Sequence, residues 1–274
     1  MSSPLSRAAR LPLCLLLLLA GPALAAPESL RPESLRPEAL RPEAWHRATA
    51  VVDGDTLVLD DGRELRLVGL QAPKLPLGRR GFRAWPLAEE AKAALEALAL
   101  GRRLGLAFTG RREDRHGRRL AHLLREDGLW IQGALLERGL ARVYSFSDNR
   151  ALVAEMLARE RAARAAGLGI WGHPFYAPRR AEAAAADIGS FQLVEGRVLE
   201  AAKVRGRVYL NFGADRKTDF TISVAPKAWK LFEAEGIAPE DYRGRRLRVR
   251  GWLKAHNGPA IAATHPEQIE VLAE

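Results

Sequence analysis

The chain has 274 residues, of which 47% are hydrophobic, and a net charge of +10. This length is enough for one large or two small domains with a sizeable core. The excess of basic over acidic residues favours polyanionic partners such as nucleic acid or anionic lipid and carries no information about fold. The single cysteine, Cys14, lies in an apolar N-terminal segment, so we expect no disulfide or thiol chemistry in the rest of the chain.

The first 25 residues predict a secretory signal peptide. Arg7 and Arg10 precede an apolar run at residues 11–20 that is too short to span a bilayer comfortably, and residues 23–25 (Ala-Leu-Ala) fit a cleavage site. We therefore expect an exported protein, periplasmic or secreted, with no transmembrane segment in the mature chain. An uncleaved membrane anchor is the alternative.

Residues 27–46 form four pentads that each begin with Pro-Glu. A proline at every fifth position prevents both a continuous helix and a sheet ladder. The sequence therefore predicts an extended linker over residues 26–44, and a partner-binding peptide is the alternative.

Residues 45–172 carry the periodic patterns of one mixed α and β domain. Asp60-Asp61-Gly62 predicts the turn of a hairpin between the second and third strands. Proline, glycine and basic residues at 73–86 indicate a mobile loop. The predicted strands are residues 45–52, 56–59, 64–70, 104–108 and 120–125, with a short extended piece at 141–144, and the predicted helices are 87–100, 129–138 and 149–167.

A second domain is predicted at residues 190–274, after a linker at 173–189 that is rich in proline, arginine and alanine. Three strands, a helix and two or three further strands are typical of a small OB-like β-barrel, although an SH3-like barrel or an open sheet fits too. Its aromatic residues either form a stacking groove with arginines or fill the core while the arginines face outward. These residues are Tyr209, Phe212, Phe220 and Trp252, with Arg243, Arg245, Arg246, Arg248 and Arg250.

Several motifs occur in a characteristic order along the first domain. They are Asp53-Gly54-Asp55-Thr56, Arg66-Leu67, Ala72-Pro73, Asp114 with Gly117-Arg118, the Leu-x-x-Gly-Leu-Ala run of residues 135–141, and Ile170-Trp171. With these motifs the chain resembles the staphylococcal nuclease (thermonuclease) family over about residues 45–172. The resemblance implies an α+β fold, a five-stranded OB-type barrel with three helices, and hydrolysis of phosphodiester bonds in DNA and RNA with one calcium ion.

The resemblance also implies roles for individual residues. Asp55 would ligate the metal with Asp53 beside it, and Arg66 and Arg118 would hold the scissile phosphate. Hard oxygen ligands suit calcium, and guanidinium groups suit a phosphate transition state. Cations and an aromatic residue in the loop predict further contacts to a single-stranded nucleic acid, although a solvated loop has the same composition. They are Arg79, Arg80, Arg83 and Trp85.

Two positions depart from the family pattern. Gln71 replaces a second metal-ligating aspartate and offers one neutral oxygen, and Lys74 replaces the glutamate that serves the attacking water. A protonated lysine cannot accept a proton, and fewer carboxylates should weaken calcium binding. Alternatively, the Lys74 ammonium takes the place of the metal charge and helps to bind phosphate. None of the six histidines has zinc-ligand spacing.

Three functions are therefore consistent with the sequence. The first is an exported nuclease-like enzyme with a degenerate calcium and general-base site, and with Arg66, Arg118 and Lys74 as its catalytic groups. The second is a non-catalytic module that binds nucleic acid or another polyanion. The third is a cell-envelope scaffold that contacts protein or anionic lipid. The identities of Gln71 and Lys74 are what separates the first two.

Overall fold

The computed structural model describes residues 40–273. The predicted signal peptide and most of the predicted N-terminal linker lie outside these residues. Two separate clusters of buried apolar side chains divide the described chain, one between Leu40 and Leu157 and one between Ala181 and Ile269. Within residues 40–273, no helix combines the length and the apolar character needed to cross a membrane.

The first domain is built on a closed five-stranded barrel. Its strands and those beside it are β1 (Ala44–Asp53), β2 (Thr56–Leu59), β3 (Glu64–Leu67), β4 (Leu70–Gln71), β5 (Arg103–Ala107), β6 (Arg119–Arg125) and β7 (Arg142–Val143). The barrel order is β1, β2, β3, β6 and β5. Strands β3 and β6 run parallel, the other barrel neighbours are antiparallel, and β4 pairs with β7 outside the barrel. The predicted third strand is thus divided, because Val68 and Gly69 turn the chain out of the barrel between β3 and β4.

Three helices cover this barrel, α1 (Ala88–Ala99), α2 (Ile131–Glu137) and α3 (Val153–Ala165). Helix α1 buries Ala91, Leu95 and Leu98, which recur at helical spacing on one face. Helix α3 begins four residues later than predicted, because Leu152 adopts a left-handed conformation with φ of 63° immediately before it. The α+β fold and the OB-type barrel with three helices expected from the sequence are confirmed.

The second domain is a curled half-barrel sheet of eight strands, consistent with the predicted OB-like fold. Its elements are β8 (Arg179–Arg180), β9 (Phe191–Arg197), β10 (Glu200–Val204), β11 (Arg207–Asn211), β12 (Thr221–Val224), α4 (Pro226–Glu233), β13 (Arg246–Ala255), β14 (Pro259–Ala263) and β15 (Ile269–Val271). The sheet order is β10, β11, β12, β14, β13, β9 and β8, and β15 pairs with the first half of β13. Strand β10 was not predicted: it is an edge strand without a fully buried residue and therefore lacks an apolar alternation.

The segment predicted as the interdomain linker, residues 173–189, contains secondary structure and packs against the second domain. It forms 3-10 helices at Pro174–Tyr176 and Ala181–Asp187 and contributes β8, which pairs in parallel with β9. Ala181 and Ala184 are buried in the second core. The small alanine side chains that suggested a linker are thus the side chains that allow this close packing.

The two domains meet along a polar interface between α3 and β13. The Arg250 side chain is 1% exposed and pairs with Glu160 of α3 and Glu270 of β15, at 2.9 and 2.6 Å. Nearby, Ser145 Oγ and His265 Nε2 are 2.8 Å apart, and Arg150 pairs with Glu267. Burying so many charges requires a fixed geometry, so these pairs hold one domain in a defined position against the other.

Candidate nucleic-acid interface

Asp53 and Asp55, called the aspartate pair below, lie on the tight connection between β1 and β2. The Asp55 backbone N–H donates to Asp53 Oδ1 at 3.0 Å. A Cβ atom on Gly54 would lie 2.7 Å from the Cβ atoms of both Ala72 and Ala91. Glycine between the two aspartates therefore allows the connection to pack against α1 and the segment after β4.

Replacing Gly54 by alanine is expected to destabilise the protein by about 1–3 kcal/mol, the usual cost of overpacking a filled site. The methyl groups of Ala72 and Ala91 must move to make space. Each is attached directly to the backbone of a segment that packs against the aspartate pair, so the backbone must move with it. Urea denaturation monitored by circular dichroism measures the change. A midpoint equal to that of the wild-type protein would contradict this account of the Asp-Gly-Asp sequence.

Asp55 is completely buried and is surrounded by donors. Lys74 Nζ lies 2.7 and 2.6 Å from its two carboxylate oxygens, and Arg66 Nη1 lies 2.9 Å from Oδ1. The Ala72 backbone N–H donates to Oδ2 at 2.9 Å, and the Thr56 hydroxyl donates to Oδ1 at 3.1 Å. The same Lys74 ammonium donates to Asp53 Oδ2 at 3.1 Å. Lys74 therefore joins the two aspartates through three carboxylate oxygens.

These contacts shift the pKa values of the two aspartates in opposite directions. Burial alone would raise the pKa of Asp55, but the charges of Lys74 and Arg66 overcome this effect and hold it well below its usual range. Burial raises the pKa of Asp53, and the neighbouring Asp55 carboxylate adds to that rise, although Lys74 opposes it. Lys74 is thus the charge that stabilises both carboxylates in their ionised form.

Arg66 and Arg118 lie near each other because their strands are neighbours. Arg66 is on β3, opposite Leu120 of the parallel strand β6, and Arg118 immediately precedes β6. Arg118 pairs with Asp114, with Nη2 2.6 Å and Nε 2.8 Å from Oδ2. Asp114 also accepts the backbone N–H groups of His116 and Arg118, so it orders the loop that carries this arginine.

A cleft of about 660 Å³, called the interdomain cleft below, brings the predicted cations together. Arg66, Lys74, Arg79 and Arg118 all line it. Arg80 and Arg83 are exposed and do not belong to its lining. The structure adds residues to this site that were not predicted to lie in it, namely Arg111, Arg115, Phe82, Tyr144, Phe146 and Trp252, together with the carboxylates of Asp114 and Asp148.

Residues 64–173 match the family model described as staphylococcal nuclease homologue. These residues make up most of the first domain, which is therefore similar to this family. The similarity supports a nuclease-like or nucleic-acid-binding role for the first domain, called the nuclease-like domain below, and nucleases of the family are typically calcium-dependent. No curated protein matches the chain significantly.

The side chains of this nuclease-like domain do not fit a calcium ion. Calcium requires six to eight oxygen ligands, usually with several carboxylates among them. The aspartate pair already holds the Lys74 ammonium, which would repel a second cation. Among residues 40–273, no group of three or more histidine, cysteine, aspartate or glutamate side chains is arranged to hold a metal.

Gln71 is also engaged elsewhere. Its Oε1 accepts hydrogen bonds from Arg142 Nε at 3.0 Å and from Arg142 Nη2 at 2.7 Å, so a metal would have to compete with a guanidinium for this oxygen. Arg142 is itself buried, and Gln71 satisfies its charge-bearing donors. The contacts of Asp53, Asp55 and Gln71 therefore do not support the metal-ligating roles expected from the resemblance.

The second domain contributes less to the interdomain cleft than its composition suggested. Phe212 and Phe220 are buried and pack edge to face, with ring centroids 5.0 Å apart, so they belong to the core. Among the described residues of the second domain, only Trp252, on β13, reaches the cleft. It lies on the same face of β13 as Arg250, two residues away, and sequence periodicity alone could not show that this face meets another domain.

Proposed function

We propose that the protein binds single-stranded DNA or RNA in the interdomain cleft without calcium, and that Lys74 supplies internally the positive charge of the metal ion. The observation that carries this proposal is the contact of one ammonium group with three oxygens of the aspartate pair. A tethered cation at this position offsets one of the two negative charges of the pair at every calcium concentration, and Arg66 places a second positive charge beside Asp55. The pair then does not repel an incoming phosphate.

The electrostatic balance of the cleft supports a polyanionic ligand. Six cationic side chains line it, Arg66, Lys74, Arg79, Arg111, Arg115 and Arg118, against Asp114 and Asp148. The aspartate pair adds two further negative charges behind the wall, so cations still exceed carboxylates. A cleft lined by one sign of charge concentrates ligands of the opposite sign.

The phosphate contacts fall to the two arginines rather than to Lys74. An ammonium group has three donors and no acceptor, and Lys74 directs its donors at three carboxylate oxygens. Arg66 uses Nη1 on Asp55 and keeps further N–H groups, and Arg118 is held at the cleft by Asp114. Guanidinium groups bind phosphate oxygens in a bidentate manner, which suits both arginines to this role.

The same contacts argue against calcium-dependent hydrolysis as the main activity. General-base catalysis needs an acceptor within hydrogen-bonding distance of the attacking water. Lys74, at the position of the family's glutamate, offers none. We also propose export to the periplasm or the outside of the cell, on the sequence of residues 1–25 alone.

Fluorescence anisotropy with a labelled single-stranded oligonucleotide tests the proposal. We expect equal affinity in calcium and in EDTA, a linear fall of log affinity with log salt concentration, and no calcium-dependent cleavage on a gel. Arg118→Gln is expected to weaken binding about tenfold, as for loss of a charge-assisted hydrogen bond. Arg103→Gln, at an exposed position of β5 outside the cleft, is the matched control and should leave the affinity unchanged.

Either of two results would overturn the proposal. Rapid cleavage that requires calcium would restore the enzymatic interpretation. An absence of salt-dependent binding to any single-stranded nucleic acid would leave the scaffold interpretation, with protein or anionic lipid as the partner.

A further inference from the structure

The wall of the interdomain cleft is shared between the two domains. Trp252 of β13 belongs to the second domain, and its Nε1 donates to the Tyr144 hydroxyl of the nuclease-like domain at 2.9 Å. The tryptophan remains 47% exposed. Its polar atom is therefore satisfied, while much of its apolar ring surface faces the cleft.

The position of this indole is fixed from several sides. Trp252 is paired with Phe191 in the β9–β13 ladder, and Tyr144 packs edge to face on Phe191 with ring centroids 4.7 Å apart. Two residues before Trp252, Arg250 forms the buried ion pair with Glu160. A rigid side chain loses little conformational entropy when a ligand binds to it.

A second exposed ring adjoins this one. Phe146 is 49% exposed, lines the same cleft and packs edge to face on Tyr144, with ring centroids 4.9 Å apart. Tyr144 thus stands between Phe146 and Trp252 and contacts both. Neither Phe146 nor Trp252 belongs to an apolar core, so core packing does not account for two large exposed rings beside a cluster of arginines.

We propose that Trp252 forms a base-stacking subsite, which the second domain contributes to the nucleic-acid site of the nuclease-like domain. This inference rests on the proposed function and specifies its ligand. The strand is single, because the bases of a duplex are not free to stack on an indole, and its phosphates lie against Arg66 and Arg118. The ligand must carry bases, which excludes base-free polyanions as full ligands.

Binding of two labelled strands of equal length, one oligothymidylate and one abasic, tests the subsite in the complete chain. Trp252→Leu is expected to weaken binding of the oligothymidylate about tenfold, the usual loss for one stacked base, and to leave binding of the abasic strand unchanged. Trp252→Phe, which retains an aromatic ring, should keep most of the wild-type affinity for the oligothymidylate. Trp45→Leu is the matched control, because Trp45 is 40% exposed on β1 and does not line the cleft.

Photo-crosslinking gives a readout that does not depend on the folding of any variant. An oligonucleotide that carries 5-bromouracil should crosslink to the peptide that contains Trp252 in the wild-type protein. If Trp252→Leu weakens both strands equally, or if crosslinks form only on the nuclease-like domain, the subsite is wrong while the proposed function stands. If the wild-type protein binds neither strand, the proposed function itself is wrong.

Discussion

Replacing Lys74 by methionine is expected to lower the free energy of unfolding by about 3–5 kcal/mol at pH 7, as for the loss of one partner of a buried ion pair. Lys74 is 15% exposed and is shared by two buried carboxylates, so its removal leaves two buried negative charges, of which Asp55 keeps Arg66 as an ion-pair partner at 2.9 Å. Urea denaturation measures the loss. Lys92→Met is the matched control: Lys92 lies on α1 at 3.9 Å from Glu96 in a partly exposed pair, and its replacement should cost no more than about 1 kcal/mol.

The pH dependence of this loss has a definite sign. In the wild-type protein the pKa of Asp55 is lowered, so its contribution to stability is present above the unfolded pKa near 4 and is lost as the pH falls. In Lys74→Met, burial dominates and raises the pKa of Asp55, so protonation relieves the destabilisation as the pH falls. The difference in stability between the two proteins should therefore shrink between pH 7 and pH 4. A constant difference would show that Lys74 acts through packing instead of charge.

The response of the melting temperature to calcium tests whether the Lys74 ammonium replaces the charge of the metal ion or only forms a salt bridge. The variant Gln71→Asp with Lys74→Glu removes the internal cation and adds two carboxylates beside the aspartate pair, which are the ligands that calcium requires. Addition of calcium should raise the melting temperature of this variant and leave that of the wild-type protein unchanged, because only a ligand that binds the folded state stabilises it. A calcium-dependent melting temperature of the wild-type protein would contradict the role assigned to Lys74.

The features that the sequence predicted well are local ones. The Asp-Gly turn, the strands on either side of it and α1 follow from short-range periodicity and turn chemistry, and the motif order identified the nuclease-like domain. The sequence also showed that Gln71 and Lys74 break the family pattern. It could not show that the Lys74 side chain reaches both aspartates, because that contact depends on how the chain after β4 folds back over the β1–β2 connection.

The features that the sequence predicted poorly depend on contact between the two domains. Arg248 and Arg250 alternate with buried Leu247 and Val249, which predicts arginines that face solvent. They do face away from the second core, but that face of β13 packs against α3, and Arg250 becomes one of the most buried side chains of the chain. Periodicity identifies the face of a strand, whereas the partner of that face is a tertiary property. For the same reason, periodicity did not predict that Trp252 lines the interdomain cleft.

Replacing Arg250 by methionine is expected to destabilise the protein by about 3–5 kcal/mol and to weaken the contact between the domains. Glu160 is fully buried, and Glu270 is nearly so. Burial alone would raise the pKa of Glu160, but the charge and hydrogen bonds of Arg250 hold it below its ordinary value. Without Arg250, Glu160 keeps Arg164 and the Val143 backbone N–H as partners, which are too few for a buried carboxylate next to a second one.

Arg246→Met is the matched control on the same strand. Arg246 is 54% exposed and pairs with Glu195, so its loss should cost no more than about 1 kcal/mol. Adding Glu160→Gln to Arg250→Met should recover part of the lost stability, because a neutral amide can still accept the Val143 N–H and no longer leaves a buried charge unpaired. Urea denaturation of the four proteins measures these differences, and equal midpoints for Arg250→Met and Arg246→Met would contradict the prediction.

The same substitution connects stability to binding. Arg250 and Trp252 share one face of β13, so loosening the ion pair should release the indole from Tyr144 and open the interdomain cleft. Arg250→Met should therefore bind oligothymidylate about tenfold more weakly at temperatures where the nuclease-like domain remains folded, and should bind an abasic strand as the wild-type protein does. Two unfolding transitions in place of one would show that the domains have separated. If affinity for oligothymidylate survives such a separation, the nuclease-like domain binds the strand alone and the interface serves stability only.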